Sequence, residues 1–398
     1  MKNITEINKD TCVGCGACVQ SCPVACIRMS LDGYGFLYPQ IGDSCINCGK
    51  CLTVCPAARE SAADECQDKP CYILTAKNKI LEDKSASGGF CAILADYYID
   101  KFDAVVFGCV MDDSFEVCHQ AITHREDIYK IQGSKYVQSN TLNTYKEAQD
   151  YLNTGRCVLY MATPCQIAGL KTFLTKRYEN LITVDIICHG VPSSKAFQLY
   201  IKHLSDTNKT AILEYKFRNK TCYDRTGFIS KTKYNRGKTV YKRPSEDIYF
   251  YLFSKGKSYR KSCYNCQYAC LARQGDFTCG DCGSRSLYND FMPYEAVSSL
   301  ILNTEKAISI WNEIKALFEY IQIDLKTEAL KNKQLHECTA LPSDRDVLCK
   351  AMINSQWNEL KVKYLPKNKI SFFKTISERI PISVKKIICR LMLKDSKK

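Results

Sequence analysis

Eight cysteines near the start of the chain carry its clearest chemistry. Cys12, Cys15, Cys18 and Cys22, followed by Pro23, have the spacing C-x2-C-x2-C-x3-C-P, and Cys45, Cys48, Cys51, Cys55 and Pro56 repeat it. Steps this short let three thiolates bind three irons of one 4Fe-4S cube. The fourth, carried away on a helix that proline helps start, reaches the neighbouring cube. One cluster therefore takes Cys12, Cys15, Cys18 and Cys55, and the other takes Cys45, Cys48, Cys51 and Cys22. Gly14, Gly16 and Gly49 let backbone N–H groups approach the sulfurs, which tunes potential. Two adjacent clusters suit stepwise one-electron transfer, whereas one would suffice as a structural staple. Cys26 reads as a small core residue.

A second cysteine-rich stretch, "CYNCQYACLARQGDFTCGDCG" at 263–283, contains two CxxC pairs, Cys263/Cys266 and Cys279/Cys282. Four thiolates at that spacing can close a tetrahedron around zinc; a redox cluster and spare thiols are the other readings. Cys165, in "ATPCQIAGLK", and Cys188, in "ICHGVPS", each stand just past an expected strand and suggest a shared ligand site. His189 beside Cys188 suits either a proton shuttle or a turn cap. "SASGGF" precedes a helix, where Ser87, Gly88 and Gly89 offer N–H groups to a phosphate. Ser134 and Lys135 in "QGSKYVQS" are further phosphate partners, with a solvated turn as the alternative.

These residues need a scaffold. After an Ala/Asp/Glu-rich linker at about 57–70, the apolar runs 71–76, 103–110, 156–161 and 181–188 read as buried strands. Helical spacing at 90–100, 142–153 and 167–175 alternates with them, so a three-layer α/β domain is expected. In such sheets ligands collect at strand ends, where the polar signals lie. A hairpin-rich stretch at about 212–250 follows. Residues 303–320 read as one amphipathic helix with a Trp311/Leu317/Phe318 face. From 381 onward, Val384, Ile387, Ile388 and Leu391 share a helical face flanked by basic residues, a pattern that suits an anionic membrane surface or docking on its own domain.

At 398 residues the chain calls for two or three domains. Twenty-six cysteines in a chain long enough to bury a core point to metal in a reducing compartment rather than to disulfides. The net charge of +14 is not a nucleic-acid footprint, because ten of those charges arise from 361–398, with twelve Lys/Arg against Glu378 and Asp395. No run of eighteen apolar residues occurs and the start lacks a secretory profile, so a cytoplasmic protein is expected.

The head resembles a bacterial two-cluster ferredoxin domain. Ser-Gly-Gly before a helix, G-S-K-Y, T-P-C-Q, a strand ending in Cys, and C-x2-C followed by Asp276–Gly280 resemble, in that order, the beta subunit of coenzyme F-420 hydrogenases and dehydrogenases. The resemblance implies an FAD domain with its own 4Fe-4S cluster, ligated by Cys165, Cys188, Cys263 and Cys266. It also places Ser87, Gly88, Gly89, Ser134, Lys135 and Gly280 near the flavin. The "TCGDCG" segment departs from the family's usual pattern. The expected fold class is α/β: a small α+β ferredoxin-like domain (1–60), an α/β flavin and iron–sulfur domain (70–290), and a helical, basic C-terminal region (291–398). The expected function is an oxidoreductase in which electrons pass between clusters and FAD, and FAD exchanges a hydride with an unidentified substrate, either a deazaflavin or a polysaccharide-biosynthesis intermediate. His189 and Lys135 are the expected proton and charge managers, and a redox protein or reduced carrier is the expected partner. Two rivals are an electron-relay protein without flavin and a zinc-stabilised scaffold.

Overall fold

In each cysteine repeat a glycine in the left-handed region opens a short helix, Gly16 (φ 77°) before α1 (Ala17–Ser21) and Gly49 (φ 75°) before α2 (Lys50–Thr53). Between them, β1 (Ile27–Leu31) and β2 (Leu37–Ile41) form an antiparallel hairpin. These elements come from a computed structural model that describes residues 2–59, 68–221, 224–288, 290–292, 295–366, 381 and 384. The head's own apolar core is little more than Ile4, Cys18, Ile27, Cys51 and Cys55. So small a core needs metal to hold it.

The central domain runs β3 (Cys71–Ala76), α3 (Lys79–Lys84), α4 (Phe90–Phe102), β4 (Val105–Met111), β5 (Val117–Ile122), α5 (Ile128–Ile131), α6 (Thr144–Asn153), β6 (Val158–Ala162), α7 (Pro164–Leu174), β7 (Leu181–Ile186) and α8 (Ser194–Asn208). Then come β8 (Ile212–Lys216), β9 (Ser230–Tyr234), β10 (Thr239–Lys242), α9 (Ile248–Ser254), β11 (Phe277–Asp281), β12 (Ser298–Leu302), α10 (Glu305–Ile314), β13 (Phe318–Ile323), α11 (Leu325–Lys331), α12 (Arg345–Ile353) and α13 (Trp357–Tyr364). Eight strands form one sheet in the order β13-β3-β12-β11-β7-β6-β4-β5. The strands β4, β6, β7 and β11 are parallel, and β5, β12, β3 and β13 join by antiparallel pairing. One face packs Val106, Leu159 and Ile182 under α4 and α10, and the other packs Val105, Val158 and Leu181 under α6 and α7. Successive residues therefore face opposite layers, as the period of a strand requires.

Beside this sheet, β8–β10 make a separate three-stranded sheet. It shares a second core with α8, α9, α12 and α13 around Trp357 and Tyr200.

The sheet does not end at residue 290. Two of its strands, β12 and β13, come from the region expected to be helical; they flank α10, and the described residues from Leu325 onward hold helices without further strands. Residues 303–320 are likewise not one helix. The helix α10 stops at Ile314, and the alternating "FEYIQI" of β13 pairs with β3. Trp311 and Phe318 still meet, with ring centroids 5.6 Å apart, while Leu317 turns to solvent.

Candidate iron–sulfur centres

Two cavities open in the head. One, with about 320 Å³ of empty space, is lined by Cys12, Cys15, Cys18 and Cys55 together with Met29 and Pro39. The other, about 280 Å³, is lined by Cys22, Cys45, Cys48 and Cys51. The fourth cysteine of each repeat thus crosses to the partner's group. Burial raises the Cys15, Cys18 and Cys55 thiols, and their proximity to one another raises them further. Iron supplies the positive charge that lets such a group ionise together. Cys26 packs half-buried against the head's core and also lines the second cavity, 3.5 Å from Cys22 sulfur to sulfur.

A third group forms where the parallel strands end. After β6, Pro164 takes the first position of α7 and the Gln166 side chain accepts the Thr163 N–H, which fixes Cys165 in the first helical turn. After β7, the chain passes Cys188 to Gly190, whose φ of 131° and missing Cβ leave room for the Tyr259 ring. From there Pro192 bridges Tyr259, and the Val191 carbonyl accepts the Arg260 N–H. That junction holds the turn Lys261–Asn265, with Cys263 and Cys266, against Cys188. The four thiols influence one another. Burial first, then Cys165 and Cys266, push the Cys188 thiol up to about 12, and burial followed by Cys165 does the same to Cys266. Cys263 is raised by burial and then by Cys188, Cys266 and Cys165.

The other CxxC pair lies elsewhere. Cys279 is inside β11 with its thiol against Cys91, and Cys282 faces Ser284 and Glu328 at 3.6 and 3.7 Å. The two pairs therefore do not close a common tetrahedron. Among the described residues no three His, Cys, Asp or Glu side chains converge as ligands of one ion do. Ligands of a cube each hold a different iron and stand further apart than the thiolates around a single zinc. Cys270 points back at the carbonyls of Gln267 and Ala272.

The sequence of the central domain answers to a known family. Residues 155–326 match the C-terminal part of the coenzyme F420 hydrogenase/dehydrogenase beta subunit, and residues 11–59 match a 4Fe-4S dicluster domain. Residues 155–326 are thus similar to the C-terminal part of that beta subunit, and they stand behind a ferredoxin-type head. Among solved structures, a chain of the F420-reducing [NiFe] hydrogenase complex from Methanosarcina barkeri aligns over 76% of this chain and 95% of its own, at 17% identity and a TM-score of 0.45. No curated protein matches. As a beta-subunit relative with a dicluster head, the chain is an oxidoreductase that transfers electrons through iron–sulfur clusters.

The residues that the family resemblance assigns to flavin are mostly engaged with the protein itself. The Ser87 hydroxyl donates to the Val297 carbonyl (2.7 Å), and the Gly88 N–H donates to Ser298 Oγ (2.9 Å). Gly88 threads so close to β3 that a Cβ would strike the Leu74 carbonyl, and Gly89 takes the left-handed cap of α4. The Lys135 ammonium donates to the Lys130 and Gln132 carbonyls at the end of α5, which need donors. Burial brings its pKa down to about 8. The Ser134 hydroxyl lies against Tyr136, and Gly280 pairs with Ser299 inside the sheet. His189 is exposed next to the third group, with Asp281 the charge it feels most.

Other residues matter that spacing did not reveal. Asp185 and Arg273 are a fully buried pair at 2.8 Å. Asp185 also accepts the N–H groups of Gln274 and Gly275 and the Thr278 hydroxyl, which anchors the loop after Cys266 to β7. Arg273 extends positive charge toward Cys188 and Cys266. Tyr268 is buried among Cys165, Cys15 and Cys266 and so lies between the head and the third group. The sequence sign of Arg273 and Tyr268 was their place in a loop rich in cysteine, and Asp185 stood inside an apolar strand.

Proposed function

We propose that the chain moves electrons singly between the two head clusters and a third 4Fe-4S cluster held by Cys165, Cys188, Cys263 and Cys266, and couples them to a hydride exchange on FAD. The observation that carries this reading is the meeting of four cysteines from three distant segments at the ends of β6 and β7, directly beside the cavity of Cys12, Cys15, Cys18 and Cys55. Electron transfer needs such short spacing, and a structural metal would not.

In this reading the second head cluster, whose Cys48 is exposed, meets a redox partner protein or a reduced carrier. The cluster at Cys12 passes electrons inward. Buried aromatic and apolar groups, Tyr145, Tyr268 and Ile167 among them, keep water from the space between the centres. FAD, when bound, would supply the junction between one-electron and two-electron steps. Its assignment rests on the family, and the hydride partner is a deazaflavin or a polysaccharide-biosynthesis intermediate. A relay without flavin is the second reading, favoured by the engagement of Ser87, Gly88 and Lys135 with protein acceptors.

The test is anaerobic analysis of iron, sulfide, zinc and flavin per chain, repeated on a Cys263→Ser/Cys266→Ser variant. About twelve irons, falling to about eight in the variant, support three cubes. About eight irons in both remove the third cluster from the proposal. Twelve irons without flavin select the relay.

The proposal extends to peripheral contact between the basic stretch 381–398 and an anionic membrane. Apart from Pro381 and Val384 that stretch lies outside the described residues. Among the described residues no helix is long and apolar enough to cross a membrane. Deleting 376–398 is expected to abolish co-sedimentation with anionic vesicles, and unchanged partitioning would remove this extension.

A further inference from the structure

Arg260 is completely buried, yet none of the groups it bonds is a carboxylate. Its Nε donates to the Cys12 carbonyl (2.7 Å), and Nη1 donates to the Leu37 carbonyl (2.8 Å) and to Gln138 Oε1 (3.1 Å). Its guanidinium lies 3.9 Å over the ring of Tyr38. All of these partners are neutral. Among the described residues Arg260 forms no ion pair, although other buried arginines, Arg273 with Asp185 and Arg218 with Asp281, do.

A guanidinium taken out of water without a counter-charge is strongly disfavoured, and buried charges are accordingly paired. Among the described residues, the one group Arg260 touches that can carry the missing negative charge is the thiolate of Cys12. Nη2 of Arg260 is 3.5 Å from the sulfur of Cys12, one of the four cysteines lining the first cavity. A cube bound by four thiolates is an anion, and a one-electron reduction makes it more negative without making or breaking a bond. Hydrogen bonds to the sulfurs and nearby charge are among the means by which a protein sets that potential.

We propose that Arg260 is the counter-ion of the head cluster held by Cys12, Cys15, Cys18 and Cys55, and that it raises this cluster's reduction potential by favouring the reduced state. The same residue is joined to the third group, since its carbonyl accepts the Cys263 N–H at 3.0 Å. Its charge also reaches Cys165. Arg260 thus makes the inner head cluster the favoured resting place for an electron that a one-electron donor delivers at the outer one. The inference rests on the dicluster head alone and does not depend on flavin or on the third cluster.

The test is an EPR-monitored redox titration of the full-length protein, purified anaerobically, with dithionite as the reductant and iron counted in every sample. Arg260→Met and Arg260→Gln remove the charge, and Arg260→Lys keeps it. In a loaded neutral variant the potential of one head cluster is expected to fall by more than the spread between replicates, while the other cluster keeps its potential. Loaded neutral variants with both head potentials unchanged would overturn the proposal. If the neutral variants lose one cluster and Arg260→Lys retains it, the counter-ion role stands. If all three lose it, the residue is structural and the proposal fails. Iron at the third site is counted separately through the Cys263→Ser/Cys266→Ser background, so its absence is not mistaken for either result.

Discussion

The sulfur of Cys15 rests against Gly169. A Cβ on Gly169 would stand 2.8 Å from that sulfur, 2.9 Å from Cys15 Cβ and 3.1 Å from the Tyr145 hydroxyl. Gly169 is one helical turn after Cys165 in α7, so a single turn of helix separates a cysteine of the first head cavity from a member of the third group. The contact is reinforced by Thr141, whose hydroxyl donates to the Cys15 carbonyl at 2.8 Å, and by Thr172, which donates to the Val54 carbonyl at 2.7 Å. Replacing Gly169 by Val forces the head away from α7. The expected cost is about 1–3 kcal/mol, as for other overpacked contacts, with slower electron transfer from head to centre. Urea unfolding of the anaerobic protein measures the first part, and an unchanged midpoint would mean that the head does not sit on α7.

Asp185 gives a sharper energetic test. Its carboxylate and the Arg273 side chain are almost wholly shielded from water, 0% and 1% exposed. Removing one charge leaves the other buried and unpaired, at a cost of about 3–5 kcal/mol. Asp185→Ala is therefore expected to lower the melting temperature steeply and to release the 267–276 loop, with iron lost from the Cys266 side. A double variant with Arg273→Met should recover much of the stability. If the double variant is no more stable than Asp185→Ala alone, the pair is not coupled as described.

His119 makes stability depend on pH. It is buried between Ser139 Oγ (2.8 Å from Nδ1) and the Met161 carbonyl (3.2 Å from Nε2), stacked on Tyr160. Burial lowers its pKa to about 4. An unfolded histidine takes a proton near pH 6.5, so between about 6.5 and 4 the unfolded chain binds a proton that the folded chain refuses. Stability from this group is full above pH 6.5 and falls as pH drops to about 4, by about 3 kcal/mol in all. His119→Gln should flatten the difference in urea midpoint between pH 7 and pH 5. A variant with the wild-type pH slope would place that sensitivity in another group.

What the sequence disclosed and what it hid follow from the range of the interactions. Strands β3, β4, β6 and β7 were legible because they are buried on both faces and so read as continuous apolar runs. Strand β11 was not, because its Thr278 is polar and yet fully buried, made acceptable by hydrogen bonds with Asp185, Arg273 and Asn303. The edge strand β13 alternates apolar with exposed residues and adjoins a true helix, so its residues extended that helix's pattern. The head cysteines were readable from local spacing. The partners of Arg260 and Gly169 were not, since Cys12 and Cys15 stand far away in the chain and only packing joins them.

The last prediction separates the two CxxC pairs. In the sequence they lie close enough to share one metal, but in the fold Cys279 is 7% exposed within the core of β11, and Cys282 borders Cys71 and the buried carboxylate of Glu328. Glu328 is already occupied by the N–H groups of Gly283 and Ser284 and by the hydroxyls of Ser284 and Ser299. With its oxygens thus engaged, and with Cys71 the thiol it borders among the described residues, the site around Cys282 is a structural hydrogen-bond cluster. Cys279→Ala/Cys282→Ala should therefore leave iron and zinc per chain unchanged. It should cost about 1–2 kcal/mol in stability, from the small cavities the lost sulfurs leave. Loss of one zinc or of about four irons in that variant, with the fold intact by circular dichroism, would return these two cysteines to the metal site and displace Cys165 and Cys188 from it.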